Sequence, residues 1–308
     1  MTIRKNALLL FSKPPIPGLV KTRLTRLKDG IFEPEVASGL YHCMLFDVAE
    51  ICCDALAELE ARQAAGQADA AAPQRELSDA MGDKTEARLP EDSIVDTYEL
   101  IISTTPQKNV EVMQRLFDES GQWPRDIRII CDEGSSFDEH YNHAFEQVFE
   151  MGFDTILSMG ADMPALPRAA VVEGFDKLHA LCDVPGGGIV ISPDHEMGVS
   201  IIGWTRETAM SHDGVFYNKD GKTVLPAYID KAAELGLPAL YLPAVVDVDT
   251  MADLFHNITL VQAIEYCAQF DSLSVPWRTA NALREMGYSE VRVPPNDLHD
   301  PREEIDGE

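Results

Sequence analysis

The residues best suited to chemistry begin just after the first apolar run. Phe11-Ser12-Lys13-Pro14-Pro15-Ile16-Pro17-Gly18-Leu19-Val20-Lys21-Thr22-Arg23-Leu24 carries three cations, three prolines and one glycine. Prolines stiffen such a loop, and Gly18 lets backbone come close to a ligand. Lys13 and Lys21 offer point charges, and the Arg23 fork can take two phosphate oxygens at once. That is phosphate-binding chemistry; the competing reading is a solvated basic loop balancing an acidic surface. Neither familiar phosphate motif is present: Gly18-Leu19-Val20-Lys21-Thr22 lacks the glycine pair and offset of a Walker A loop, and no G-x-G-x-x-G follows the run.

Two acidic groups lie further on. Ile156-Leu157-Ser158-Met159-Gly160-Ala161-Asp162-Met163-Pro164 ends an apolar run with a carboxylate, and Val245-Val246-Asp247-Val248-Asp249-Thr250 ends another with two. Residues two apart on a strand point to the same face, and two same-face carboxylates are costly to hold together without a cation. Asp162 with Asp247 or Asp249 would make a partial oxygen shell for Mg²⁺ or Mn²⁺, open to water and substrate phosphates. The plainer alternatives are helix caps: Asp162 for a helix starting near 168, and Asp249 or Thr250 for one starting near 250.

Other groups carry less. His140 and His143 sit at i, i+3 on a helical pattern and His195 in a loop; without a third ligand at a recognisable spacing, packing or surface roles are expected rather than zinc. The six cysteines, with no C-x-x-C pair, read as buried thiols. No G-x-S-x-G supports a serine hydrolase. Trp204 and Trp277 read as packing residues.

The elements that must position these groups follow from periodicity. Short Ile/Leu/Val runs near 7–12, 98–103, 127–131, 154–159, 188–192, 199–204 and 239–246 alternate with helical patterns over 34–60, 109–119, 136–151, 168–181, 224–236 and 250–269. This is βαβ construction with a mostly parallel sheet covered on both faces. Ligands of such sheets bind beyond the carboxyl ends of the strands, where both the basic loop and the aspartates fall. Residues 61–97, Ala/Gln/Gly-rich and then aperiodic, either extend the preceding helix and then loop out or form a flexible insertion, and the insertion is the preferred reading. Residues 271–308 read as a short extension, with a helical segment at Trp277 to Met286, a β-like Val291-Arg292-Val293 and an acidic tail.

Charge sharpens the picture. The 308 residues carry 52 Asp+Glu against 25 Lys+Arg, a net −27, which disfavours nucleic acid and anionic membrane as partners. Yet residues 1–28 hold seven cations and no acid. The run at Ala7 to Phe11 is short for a signal peptide, and no apolar stretch approaches the roughly 20 residues that span a bilayer, so a cytoplasmic protein is expected.

The three phrases F-S-K-P-P-I-P-G-L-V-K-T-R-L, M-G-A-D-M-P and D-V-D-T-M-A-D-L resemble the landmarks of a bacterial and archaeal transferase family of the GT-A, nucleotide-diphospho-sugar transferase fold. Its members are usually labelled radical-SAM/selenium-associated glycosyltransferases, and the family is related to phospholactate guanylyltransferases. The resemblance covers roughly 1–60 and 98–269. It implies a single three-layer α/β/α domain over 1–270, with Lys13, Lys21 and Arg23 on the nucleotide phosphates and Asp162 on a divalent metal. The Asp247/Asp249 pair would complete that metal site or its shell. Backbone around Phe11 and Ser12, with Gly18 and Gly160, would face the nucleotide. The chain departs from the family at Ser192-Pro193-Asp194-His195-Glu196-Met197-Gly198, where relatives often carry a D-G-G-Y-Y-like phrase. Asp194 and Gly198 would border the acceptor or sugar pocket there, in a phrase closer to the guanylyltransferases.

The activity so implied is metal-dependent glycosyl transfer from a nucleotide-sugar to a small acceptor, with Lys21, Arg23 and Asp162 as catalytic residues. Nucleotidyl transfer with release of pyrophosphate uses the same landmarks. A third reading is an inert nucleotide-binding protein.

Overall fold

The computed structural model describes residues 2–28, 30–66 and 94–292. Strands β1 (Thr2–Phe11), β2 (Ile94–Thr104), β3 (Ile127–Cys131), β4 (Thr155–Gly160), β5 (Ile189–Pro193), β6 (Val199–Thr205) and β7 (Ala239–Tyr241) form one sheet, ordered β3-β2-β1-β4-β6-β5-β7. Every neighbouring pair is parallel except those of β6, which runs antiparallel to β4 and β5. The helices are α1 (Pro34–Ala64), α2 (Gln107–Glu119), α3 (Phe137–Glu150), α4 (Arg168–Cys182), α5 (Val224–Leu235), α6 (Met251–Cys267) and α7 (Trp277–Glu285).

Strand alternation builds the layers. Leu8 and Leu10 of β1 join a core with α1, α2 and α4, while Ala7 and Leu9 point the other way into a core with α3 and α5. Against the expectation that no stretch approaches a bilayer span, helix α1 is long and apolar enough to cross a membrane by length and composition, but most of its apolar window is buried inside the fold. A third cluster gathers Leu24, Phe32, Leu40, Val248, Leu254 and Leu283, which pins the basic loop, α1, α6 and α7 together. Helix α7 is sutured to α1 by buried Asp47, which accepts from the Thr279 N–H at 2.7 Å and from Arg278.

Three expectations change. At 61–97 the preferred insertion gives way at both ends: Ala61 to Ala64 continue α1, as the alternative of an extended helix has it, and Ile94 to Thr97 begin β2. The long β1 edge pairs with these residues from Thr2↔Ile94 onward, and the Gln63 amide both donates to and accepts from the Asp96 backbone. Residues 67–93 of that segment lie outside the described residues. The strand expected over 239–246 stops at Tyr241, although Val245 still donates its N–H to Pro193 O. The β-like segment at 291–293 forms no strand at Val291 and Arg292, and Val293 is not described. Among the side chains, Cys267 and Trp277 are exposed rather than packed, whereas Trp204 lies buried between Phe145 and His212.

The amino end of the sheet, opposite the loop, is a closed polar network. Arg4 holds Asp96 through two hydrogen bonds, Asn6 reaches Asp96 and Thr155, and His179 Nε2 donates to Asn6 Oδ1 at 3.0 Å. Burial, with the nearby Arg4 cation, pushes His179 down to about 3. Its folded value lies below its unfolded one, so its contribution to stability is intact above about pH 6.5 and is lost as pH falls toward 3. Melting temperature should therefore decline below about pH 6.5, with a shallower decline in His179→Gln; equal slopes in the two proteins would contradict this.

Candidate active site

Strand β1 marks the point where the connections reverse direction: β2 and β3 follow on one side, β4 on the other. Crevices at such reversals are where open α/β sheets hold ligands. Phe11 and Gly160 face each other in register at this edge, and the basic loop leaves β1 directly over it.

The loop does not present its cations uniformly. Lys21 turns inward, with its side chain only 6% exposed. Its Nζ donates to Asp162 Oδ2 at 2.5 Å and Asp249 Oδ1 at 3.2 Å, and lies 5.7 Å from the Tyr41 ring centre. Burial alone would weaken its charge, but Asp162 and Asp249 overcome that and raise its pKa above the lysine range. The backbone there is left-handed, φ 46° and ψ 37°, a conformation that costs a non-glycine residue about 1–3 kcal/mol and persists only where its surroundings enforce it. Arg23, half exposed, reaches Asp249 Oδ2 at 3.0 Å. Lys13 is exposed and has no salt bridge among the described residues. Arg4 and Lys5 stand six to seven residues back along β1 from Phe11, roughly 20–23 Å away, so the basic N-terminal block is not one phosphate surface.

The acids converge from two chain regions. Asp162 follows β4, and its Oδ1 lies where a side chain on Gly160 would be, 2.6 Å from an added Cβ. Asp162 caps no helix; the residue before α4 is Pro167. The segment carrying Asp247 and Asp249 is tied to it by Val248 N–H donating to Asp162 O at 3.0 Å. Val248 is buried, so its two neighbours project together on the other side, as alternation predicts even without a strand ladder. Their roles nonetheless divide. Asp249 is held by Lys21 and Arg23, while the Asp247 carboxylate has no hydrogen bond or salt bridge among the described residues. Burial, then Asp162 and Asp249, push Asp247 up to about 7. An all-carboxylate donor set with one member free of hydrogen bonds and salt bridges among the described residues suits a hard, oxygen-preferring cation such as Mg²⁺ or Mn²⁺.

Beyond the sheet edge, Phe11 stacks on Tyr141 with ring centres 3.7 Å apart, and the Ser12 hydroxyl shares a 2.7 Å hydrogen bond with Tyr41. Burial and the nearby Asp162 push the Tyr41 phenol up to about 12, which keeps it protonated. Gly18 adopts φ +77° in open space, so glycine is needed there for conformation and not for room. Asp194 and Gly198 form the frame of one turn: Asp194 Oδ1 accepts from Glu196 and Gly198 N–H at 2.6 and 2.7 Å, and the carboxylate lies against Gly198 Cα.

Sequence reasoning missed Tyr41 and Asp253. Tyr41 lies inside an apolar helix and carries no local signal. Asp253 did carry one: with Thr250 it closes the capping box that starts α6. Thr250, rather than Asp249, is therefore the cap. The histidines divide too. His140 Nδ1 lies 2.7 Å from Asp132 Oδ1, within ion-pair reach but off the hydrogen-bond angle, and His143 accepts from the Glu133 N–H. His195 instead meets Asp253 at 3.0 Å.

A family described as an uncharacterized protein conserved in bacteria (DUF2064) matches residues 94–219, less than half of the chain. No curated protein matches it. A crystal structure from Desulfovibrio desulfuricans G20, provisionally assigned as a nucleotide-diphospho-sugar transferase, is similar over 93% of this chain and 99% of its own. It shares 21% identity at a TM-score of 0.61. A cytidylyltransferase from Leptospira borgpetersenii is similar over 97% of this chain and all of its own, at 10% identity and a TM-score of 0.43. The Desulfovibrio likeness establishes a shared fold.

Proposed function

We propose that the protein is a metal-dependent transferase acting on a nucleotide, most simply a glycosyltransferase that moves a sugar from a nucleoside diphosphate to a small acceptor. The observation that carries this reading is the meeting of Lys21, Arg23, Asp162, Asp247 and Asp249 at the sheet's reversal point. There the fold sets cations beside a carboxylate, Asp247, that has no hydrogen-bond partner among the described residues, at an edge where ligands dock. The Desulfovibrio structure supports the fold on which the reading rests.

Asp162 and Asp247 would hold a divalent cation, which when bound neutralises charge on the nucleotide's phosphates. The chain's own residues do the rest. Arg23 and Lys13, at the open side of the loop, bind phosphate oxygens. Lys21 is an internal counter-ion: its ammonium bonds Asp162 and Asp249 and fixes their oxygens before a substrate arrives, so little reorganisation is needed as charge develops. Phe11 and Tyr141 wall the nucleotide end of the crevice, and the Asp194 turn borders the acceptor end.

Nucleotidyl transfer is the second reading, favoured by Lys13, whose charge has no salt-bridge partner among the described residues and suits the extra phosphate of a nucleoside triphosphate. A panel of nucleoside triphosphates and nucleotide-sugars with Mg²⁺ or Mn²⁺ separates the two. Release of nucleoside diphosphate from a nucleotide-sugar supports glycosyl transfer. Release of pyrophosphate from a triphosphate reverses the ranking. Metal-independent binding without turnover would leave an inert nucleotide-binding protein.

A further inference from the structure

The turn between β5 and β6 brings together groups that the catalytic reading does not use. His195, Glu196 and Asp253 each offer a ligand atom, and these atoms all lie within 4.8 Å of one another. Successive residues of an extended chain point to opposite sides, yet His195 and Glu196 face the same centre. The cause is the turn: Asp194 clamps the N–H groups of Glu196 and Gly198, and Met197 takes a left-handed φ of 66°. A non-glycine residue in that conformation marks strain, and here the strained turn aligns two ligand-type side chains. The third, Asp253, is buried to 1% exposure and preset. Its Oδ2 accepts from the N–H groups of Asp249 and Thr250 at 3.0 and 2.6 Å, which leaves Oδ1 aimed at His195.

We propose that His195, Glu196 and Asp253 form a second divalent-cation site, separate from the Asp162 cluster and selective for a late first-row ion such as Zn²⁺. An imidazole nitrogen with two carboxylates suits Zn²⁺ rather than Mg²⁺, and three protein ligands leave a fourth position open. At tetrahedral bonds of about 2.0–2.1 Å, ligand atoms stand roughly 3.4 Å apart. His195 and Asp253 are already closer than this, and exposed Glu196 is free to swing in. The ion takes the place of the proton now shared between His195 Nε2 and Asp253 Oδ1, and the imidazole proton moves to Nδ1. So loaded, the site fastens the acceptor-side turn to the first turn of α6, one hydrogen bond from Asp249.

The site is tested on the full chain after chelator treatment, by Co²⁺ titration followed in the visible and by Zn²⁺ thermal stabilisation. Asp162→Asn, which disables the other cluster, should retain a tetrahedral Co²⁺ band and the Zn²⁺ stabilisation. His195→Gln keeps a hydrogen-bond donor for Asp253 but is a poor ligand, so it should remain folded and lose the band. Glu196→Gln should weaken binding by about tenfold or more. A band lost in Asp162→Asn but kept in His195→Gln would put the ion in the catalytic cluster and overturn the proposal. So would a thiolate-to-cobalt band, which places it on a cysteine, or no binding of either ion at millimolar concentration. The outcome does not depend on which transfer reaction the protein performs.

Discussion

Replacing Lys21 with methionine is expected to lower the melting temperature by roughly 5–10 °C, an effect unusual for a residue in a loop. Methionine keeps most of the buried stem but removes the charge that Asp162 and Asp249 both contact. Breaking a fully buried pair by removing one partner costs about 3–5 kcal/mol. Here Asp162 is 23% and Asp249 46% exposed, so water compensates part of the loss and about 2–3 kcal/mol remains. For a chain of this size each kcal/mol moves the midpoint by about 2–4 °C. Two controls separate this from simple loss of packing. Lys21→Met/Asp249→Asn should regain part of the stability, because one carboxylate no longer lacks a partner. Millimolar Mg²⁺ should stabilise Lys21→Met more than the parent protein, since the ion supplies the missing charge. A melting temperature within about 1 °C of the parent would show that Lys21 is an ordinary phosphate-binding surface residue.

Asp162→Asn carries the second large effect, a loss of turnover of at least about 100-fold, comparable to removing one preorganised electrostatic contact from a transition state. The carboxylate is fixed on several sides: Lys21 holds Oδ2, Gly160 leaves space for Oδ1, and the carbonyl of the same residue anchors Val248. Asparagine fits the same space but neither neutralises Lys21 nor serves well as a metal ligand. Nucleotide with Mg²⁺ should therefore stabilise the parent more than nucleotide alone, and the two should give equal stabilisation in Asp162→Asn. Full turnover in the variant, or an undiminished metal effect, would remove Asp162 from the mechanism.

Much of the architecture was legible in the sequence. Seven apolar runs, the six helical patterns that alternate with them and the segment at Trp277 to Met286 match the seven strands and seven α-helices among the described residues, because periodicity in a sheet covered on both faces is strong and local. Boundaries failed where a partner far along the chain sets them. The start of β2 depends on β1 and on Gln63, and no residue near Ile94 announces that pairing. The segment after Tyr241 has strand-like composition but lacks a continuing ladder.

The sequence by itself determined where chemistry could be placed. Basic loop and aspartates at strand ends are local facts, and a βαβ chain carries strand ends to one edge of its sheet. The tertiary structure decided what each group does there. It turned Lys21 inward from an apparently open loop, separated Asp247 from Asp249 by giving only the latter cationic partners, and joined His195 to Asp253 across 58 residues of chain. Side-chain partnership depends on the approach of distant segments to within about 3 Å and on which of them lose water, and neither is encoded in the spacing of neighbours along the chain.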